Sequence, residues 1–369
     1  MKRSFLILFL FVTCFVLSPY YLRAQQPQAP PDMNIDASTR SAVVEVLLRE
    51  LNDGYVFPDM ARKMETDVKG RIAAKEYENI KSAQAFAKKL TNDLQSLSKD
   101  KHLRVRYSAQ PIPVREERGE PTAAEKEQSQ WFSRRVNFGF EKVERMNGNI
   151  GYIDLRNFND HEAGAETVAA AMRFLANTES LIFDLRQNGG GNPYMVALIS
   201  SYLFGDKPVH LNDLYWRKEN KTDEFWTKPE SAKVKFADKD IYVLTSNYTF
   251  SGAEEFSFNL KNLKRATIIG ETTGGGAHPG GMVRLHEHFG VFIPVGRAIN
   301  PISKTNWEGT GVEPDIKVPK EQALKTAYLM ALNKSLTTIK DEQMKSGVKG
   351  LIEQTQKELE EMKATAKVK

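Results

Sequence analysis

Ser251 stands between a strand pattern and a helix pattern, a position that suits a nucleophile. The apolar run Ile241–Leu244 predicts a buried strand, and apolar residues then recur at helical spacing from Ala253 to Leu263. A serine there lies beyond the carboxyl end of the strand and at a helix N-terminus, where free N–H groups stabilise developing negative charge. The spacing of Ser251 and Glu254 also fits a capping box, which needs no chemistry. Taken alone, the pattern leaves both functions open.

Three consecutive glycines, Gly189–Gly191, follow a second apolar strand pattern in the run LIFDLRQNGGGN. Without side chains, their backbone N–H groups can approach a ligand closely and converge on one point. We therefore predict an oxyanion hole formed by the N–H groups of Gly190 and Gly252, with Gly189 and Gly191 beside the substrate. A tight strand-to-helix turn is the structural alternative.

Several separated motifs occur together and in a fixed order along the chain. They are DLRQNGGGNP (Asp184–Pro193), TSNYTFSGAEEF (Thr245–Phe256), RATIIGETTGGGAHP (Arg265–Pro279) and GTGVEPDI (Gly309–Ile316). Together they resemble the S41 serine peptidases, the family of the C-terminal processing proteases, the tricorn protease core and interphotoreceptor retinoid-binding protein. The segments GYVFPDMA and DKHLRV, nearer the N-terminus, resemble the retinoid-binding-protein-like branch. The resemblance implies an α/β fold, a crotonase/ClpP-like spiral core of ββα units preceded by an N-terminal helical bundle.

One departure from the family pattern bears on the mechanism. Tail-specific members pair the serine with a lysine in a pattern similar to G-E-x-T-x-G-K, and here Gly276 occupies the lysine position. A Ser–Lys dyad at the usual place is therefore excluded. Tricorn-like members use an upstream histidine and a downstream glutamate, which the resemblance places at His102 and Glu308. In that scheme the histidine accepts the serine proton and the glutamate supports the network. A base with an ordinary histidine pKa predicts an acid limb of the rate near pH ~6–7.

His278, in GGGAHPGG, is the alternative base among the six histidines. It follows the strand after the serine helix and could reach the same cleft; with His102 as base, substrate positioning is its predicted role. His286 and His288 alternate on a strand pattern, which exposed strand residues explain better than metal binding. Neither a cysteine-rich nor an H-E-x-x-H spacing occurs, so we predict no metal and no cofactor.

The N-terminus has the pattern of a secretory signal at residues 1–24. Lys2 and Arg3 precede the apolar run Phe5–Leu17, which is shorter than the ~20 residues of a spanning helix, and cleavage is predicted after Ala24. The sequence thus predicts export to the periplasm or the extracellular space without a stable membrane anchor. The sole cysteine, Cys14, lies within this segment, so the mature chain would contain no disulfide.

Net charge argues against nucleic-acid binding. The chain has 52 Lys+Arg and 47 Asp+Glu, a formal charge of +5, and removal of residues 1–24 with their three basic residues would leave 49 against 47, or +2. Polypeptide substrates are the predicted partners, and the sequence does not indicate an oligomeric state.

The chain divides by pattern into successive segments. After the signal come a proline-rich disordered leader (25–35), a helical domain (36–100), an α/β catalytic domain (101–330) and a charged helical tail (331–369). Alternating strand and helix patterns from Asn149 onward predict βαβ units.

Two kinds of function fit these observations. The first is an exported serine endopeptidase, and an esterase would share its chemistry. The second is a catalytically silent ligand-binding protein on the same scaffold, which would be expected to have lost its serine, histidine or glycines. This chain retains all of them, which favours the enzyme. No G-L-G-F stretch typical of a PDZ module occurs, so specificity for substrate tails is not predicted.

Overall fold

A six-stranded mixed sheet forms the centre of the molecule. The computed structural model describes residues 31–114 and 122–368; the predicted signal peptide and leader residues 25–30 lie outside this part of the chain. The helices are α1 (Ala37–Gly54), α2 (Pro58–Ala73), α3 (Ala83–Ser98), α4 (Ala123–Arg135), α5 (His161–Phe174), α6 (Pro193–Ser201), α7 (Gly252–Asn262), α8 (Lys320–Leu336) and α9 (Glu342–Val368). The strands are β1 (Arg104–Tyr107), β2 (Phe140–Met146), β3 (Ile150–Leu155), β4 (Ser180–Asp184), β5 (His210–Trp216), β6 (Lys221–Trp226), β7 (Asp240–Thr245), β8 (Thr267–Gly270), β9 (Gly280–His286), β10 (Phe289–Pro294), β11 (Gly296–Ile299) and β12 (Ile316–Lys317).

The strand order of the central sheet is β12-β8-β7-β4-β3-β2, and only the β2–β3 pair is antiparallel. Strand β4 is buried along its whole length, as expected for a parallel strand covered on both faces. Helices α5, α6 and α7 pack on one face through Phe183 and Phe256, and α8 with α9 covers the other. This arrangement aligns the carboxyl ends of β4 and β7, where the glycine run and Ser251 follow.

A three-stranded sheet, β1-β10-β9, joins the N-terminal helices to the catalytic core. Val105 and Val291 are paired across β1 and β10, and both are buried among residues of α1 and α3. The opposite face of this sheet carries Arg104 and Phe292. The sheet therefore fixes the segment that begins with His102 against both the helical region and the cleft.

The predicted α/β fold with N-terminal helices is confirmed. Two predicted boundaries differ from the structure, because packing extends across them. Ile35, at the end of the predicted leader, is buried, and its N–H donates to Lys81 O at 2.8 Å. The boundary between 330 and 331 falls inside α8, and buried Ile352 and Leu359 hold the charged α9 in place. No helix within the described ranges is long and apolar enough to cross a membrane.

Candidate active site

Ser251 is held in a sparsely populated backbone conformation at the start of α7. Its φ is 54° and its ψ is −122°, a region that disfavours residues with a Cβ. Ser251 and Glu254 form a capping box at this helix start, and the Ser251 hydroxyl donates no hydrogen bond to any residue in the described ranges. Strain at a residue whose hydroxyl proton has no acceptor in the described ranges indicates a functional position. The sequence prediction that this serine begins the helix after a buried strand is therefore matched by the geometry.

Glu254 fixes the nucleophile segment to the glycine run at Gly274–Gly276. Its buried carboxylate accepts hydrogen bonds from Ser251 N at 2.9 Å, Gly275 N at 2.6 Å and Gly276 N at 2.8 Å, and from the Thr273 hydroxyl. Burial raises the pKa of Glu254 to about 7, although these hydrogen bonds oppose the rise. The capping-box spacing was the sequence signal for this residue, and in the structure the capping box coexists with a half-buried serine that lines a cleft.

The glycine run after β4 lies directly against the serine. Gly190 has φ +102°, and a Cβ on it would come within 2.7 Å of Ser251 Cβ, so only glycine permits this approach. The Gly190 N–H donates to Asn188 Oδ1 at 2.8 Å, which occupies the donor predicted for the oxyanion. The N–H groups of Gly191 and Gly252 make no hydrogen bond to any residue in the described ranges. These two amides are the free donors next to Ser251.

His102 lines the same cleft as Ser251 but is not hydrogen-bonded to it. Its ring lies between Phe250, at a centroid distance of 4.5 Å, and Phe292, stacked at 5.5 Å. Nδ1 is buried without a partner, so Nε2 is the ring nitrogen left to face the cleft. Burial lowers the pKa of His102 to about 4, a shift that the negative charge of Asp100 only partly opposes. The imidazole is consequently neutral, and able to accept a proton, at physiological pH.

His278 and Glu308 meet in a buried cluster around Asp100. His278 Nδ1 donates to Asp100 Oδ2 at 2.9 Å and lies 3.4 Å from Glu308 Oε2. Asp100 also accepts from the Tyr55 hydroxyl at 3.2 Å and, through Oδ1, from the His102 N–H at 3.0 Å. The cluster therefore connects Glu308 to the segment that carries His102. Sequence analysis missed Asp100, although it lies in the DKHLRV motif.

His278 does not line the cleft, although the sequence analysis predicted that it positions the substrate there. The residue is 5% exposed, packs edge-on against Phe57 and is not part of the cleft lining. Its Nδ1 is committed to Asp100. This environment suits a residue that positions its neighbours better than one that contacts substrate.

Glu308 combines a fixed oxygen with an unused one. Oε2 accepts from Ala277 N at 2.5 Å, whereas Oε1 is buried and has no partner in the described part of the chain. Burial, followed by the nearby charge of Asp100, raises the pKa of Glu308 to about 7. Its protonation state therefore changes near neutral pH.

Asp100, His278 and Glu308 could also be considered as metal ligands, because one ligand atom of each lies within 4.8 Å of the others. The hydrogen bonds within the cluster already use Asp100 Oδ2, His278 Nδ1 and Glu308 Oε2. These hydrogen bonds alone account for the arrangement of the three residues.

Gly276 provides the space that His102 occupies. A Cβ at position 276 would lie 2.7 Å from His102 Cε1 and would overlap the ring of Phe250. The glycine that replaces the family lysine is thus a steric requirement for the histidine in this position. In this packing, a lysine at position 276 and the His102 ring in its present position exclude each other.

We expect Gly276→Ala to lower kcat/KM at least about tenfold, since displacement of a catalytic group by ~1 Å can cost up to ~10²-fold. The measurement is peptide hydrolysis by the variant and by Gly281→Ala, whose added Cβ meets no atom within 4 Å. Full activity in Gly276→Ala would show that His102 does not need its present position.

The cleft between Ser251 and the β1-β10-β9 sheet has a volume of about 840 Å³. Its lining includes Gly189 and Gly191 on one side and Phe292 on the other, with Trp216 of β5 at one wall. An opening of this size can take several residues of an extended peptide. Of the predicted substrate-contacting residues, both glycines lie here.

Comparisons with known proteins agree with this fold. The model of peptidase family S41 matches residues 149–318, and the model for the N-terminal domain of peptidase S41 in eukaryotic IRBP matches residues 37–144. The chain belongs to peptidase family S41. The family predicted from the sequence motifs is therefore confirmed.

Individual relatives are more distant. Carboxyl-terminal-processing peptidase 1 of Arabidopsis thaliana is 28% identical over 189 residues, which cover 49% of this chain and 36% of that protein. The match thus spans about a third of the length of this curated relative. Among solved structures, one of a putative peptidase from Parabacteroides merdae has a TM-score of 0.56 at 17% identity and covers 79% of this chain and 96% of that one. A lipoprotein from Streptococcus agalactiae has a TM-score of 0.51 at 15% identity, with 83% and 98% covered. These likenesses show the fold.

Proposed function

We propose that the protein is a serine endopeptidase in which Ser251 is the nucleophile and His102 the general base. The observation that carries this proposal is the strained Ser251 beside two free amides in a cleft that His102 also lines. Family membership supports the same chemistry. Ser251 Oγ attacks the scissile carbonyl carbon, and its proton passes to His102 Nε2. The proton is then given to the leaving amine, and water releases the acyl group.

The free amides supply the oxyanion site in this proposal. Gly252 N–H is retained from the sequence prediction, and Gly191 N–H takes the place of Gly190, whose N–H is bound to Asn188. Both donors belong to backbone held rigidly by neighbouring strands and helix α7. Donors fixed in advance stabilise the developing charge without reorganisation.

Glu308 supports the base through the buried cluster. Ionised Glu308 and Asp100 place negative charge behind His102, which favours the imidazolium that forms during attack. His278 donates a hydrogen bond to Asp100, and Asp100 accepts one from the backbone N–H of His102, so His278 contributes to the position of the base. We assign His278 a positioning role on this basis.

We expect Glu308→Gln to lower kcat about 10²–10⁴-fold with little change in KM. Because the pKa of Glu308 is about 7, the wild-type rate should rise through that pH as the carboxylate ionises. The glutamine variant should lack this limb and have a lower, flat profile. The control is Glu313→Gln, whose side chain is exposed. An unchanged limb in Glu308→Gln would assign the titration to another group.

Export is part of the proposed function. Lys2, Arg3 and the apolar run behind them form the signal pattern, and we propose a periplasmic or extracellular location. Fractionation of cells that express the full chain tests this, because export requires loss of about 24 residues from the secreted form.

The direct test of the activity is digestion of unfolded β-casein, followed by mapping of the new termini by mass spectrometry. Internal cleavages that disappear in Ser251→Ala support an endopeptidase. Hydrolysis of p-nitrophenyl acetate without any peptide cleavage would indicate the esterase. A protein that binds peptide but cleaves neither substrate would be the silent binding protein.

A further inference from the structure

The cleft wall opposite Ser251 carries positive charge without any acidic residue among its described lining. Lys101, Arg104 and Arg106 contribute to this wall. Arg104 and Arg106 alternate on β1 and are exposed on the same face, whereas Val105 between them is buried. The strand thus presents both guanidinium groups to the cleft.

The three cations differ in how much of their hydrogen-bonding capacity is used. Lys101 Nζ donates to Gly274 O at 2.5 Å, and Arg104 Nε donates to Lys101 O at 2.7 Å. Arg106 makes no hydrogen bond or ion pair with any residue in the described ranges. Its complete guanidinium fork is therefore available to a ligand.

Arg106 and Arg284 flank a glycine of the central strand, and the side chains of Met282 and Ile112 pack over that glycine. Arg106 pairs with Gly290 on β10, and Gly290 pairs with Arg284 on β9, so the three residues point to the same side. Because glycine has no side chain, nothing from the central strand separates the two arginines. Arg284 uses only Nε, which donates to Ile112 O at 2.8 Å.

Two buried carboxylates close to the cleft, those of Asp100 and Glu308, are already engaged in other contacts. Asp100 is fully buried and committed to His278, Tyr55 and the His102 backbone. Glu308 lies in the same cluster, behind His102. A planar guanidinium with free donors in a partly apolar cleft, here beside Phe292, is well suited to bind a carboxylate in a bidentate manner.

We propose that the cleft recognises a carboxylate of the peptide substrate and that Arg106 is its principal ligand, assisted by Arg104. The proposal rests on the peptidase function above and adds the substrate class. The carboxylate can belong to an acidic side chain near the scissile bond or to the free end of the peptide. Both sources present the same planar anion to the guanidinium group.

The test uses three versions of the best-cleaved casein peptide, which differ only in charge. The first contains two glutamates near the cleavage site, the second has glutamine in their place, and the third keeps the glutamates but ends in an amide. At low salt, we expect wild-type kcat/KM for the first peptide to be about tenfold higher than for either the glutamine peptide or the amidated peptide, depending on which carboxylate is recognised. This difference should shrink as ionic strength rises. A loss with glutamine identifies an acidic side chain, and a loss with the amide identifies the C-terminal carboxylate.

Matched variants separate specificity from general damage. Arg106→Gln should abolish most of the preference while changing turnover of the poorer substrate less than about threefold. Arg106→Lys should retain only part of the preference, because the lysine ammonium group cannot form the bidentate hydrogen bonds of a guanidinium group. Arg145→Gln, which removes an exposed arginine from β2, should retain the full preference. Equal rates for all three peptides in the wild type, or an undiminished preference in Arg106→Gln, would overturn the proposal.

A binding measurement separates failure of this proposal from failure of the peptidase function. Fluorescence anisotropy of the same labelled peptides with Ser251→Ala reports recognition without turnover. If no peptide is cleaved, charge-dependent binding lost in Arg106→Gln still supports the carboxylate site. Ser251-dependent cleavage with charge-independent binding and rates would contradict the carboxylate site and leave the peptidase function intact.

Discussion

Ser251→Ala is expected to lower kcat by about 10³–10⁶ and to leave the fold intact. The hydroxyl is the attacking group in the proposed mechanism, and no other described serine shares its positive φ. Because the Ser251 side chain is one half of a capping box, its loss should lower the free energy of unfolding by no more than about 1–2 kcal/mol, the usual contribution of a cap. Steady-state peptide hydrolysis and thermal unfolding of the same preparation provide the two measurements.

Two further variants give this prediction its controls. Ser257→Ala, on the same helix, removes a buried hydroxyl bonded to Ala253 O at 2.8 Å and should retain turnover. Ser251→Gly should be inactive but at least as stable as the alanine variant, since glycine relieves the strain at φ 54°. Normal turnover in Ser251→Ala would remove the serine from the mechanism, and a large loss of stability with normal specific activity would make it a cap.

His102→Ala is expected to lower kcat/KM by about 10²–10⁴, the usual contribution of a general base. His278→Asn should remain within about tenfold of the wild type, because the asparagine amide can replace the Nδ1–H donor to Asp100. His278→Leu keeps the bulk against Phe57 but loses that donor, so it should lower kcat more than KM. The measurement is the complete pH profile of each variant.

The pH profile distinguishes the two histidines and revises an expectation from sequence. Burial lowers the pKa of His102 to about 4, so its protonation falls well below the ordinary histidine range. We assign the limb expected near pH 7 in the wild type to Glu308, whose pKa burial raises to about 7, and expect it to persist at lower amplitude in His278→Asn. A greater loss in His278→Leu and His278→Asn than in His102→Ala would transfer the base to His278.

The elements that position Ser251 could be predicted because their signals are local. A buried apolar run followed by a helical repeat defines β7 and α7 within some twenty residues, and the observed bounds are Asp240–Thr245 and Gly252–Asn262. The glycine run after β4 was recognisable for the same reason. The periodicity of apolar residues and the glycine content predict the backbone conformation near the serine, and this prediction does not require knowledge of contacts with distant parts of the chain.

The buried cluster could not be predicted in the same way, because its members come from remote parts of the chain. Asp100 and His278 are separated by 178 positions and meet only because β1 and β9 both pair with β10. The family motif located Glu308, but the cluster that surrounds it depends on tertiary structure. The oxyanion donor that we propose differs from the predicted one for a related reason: whether the Gly190 N–H is free depends on the side chain of Asn188.

Labelling with a fluorophosphonate probe tests the central claim most directly, since it reports whether Ser251 is an activated nucleophile without knowledge of the substrate. We predict one covalent adduct per chain, located by mass spectrometry at Ser251. The adduct should be absent in Ser251→Ala, strongly slowed in His102→Ala and formed at near wild-type rate in His278→Asn. Absence of labelling in the folded wild type, or an adduct on a different residue, would contradict the assignment of Ser251 and His102.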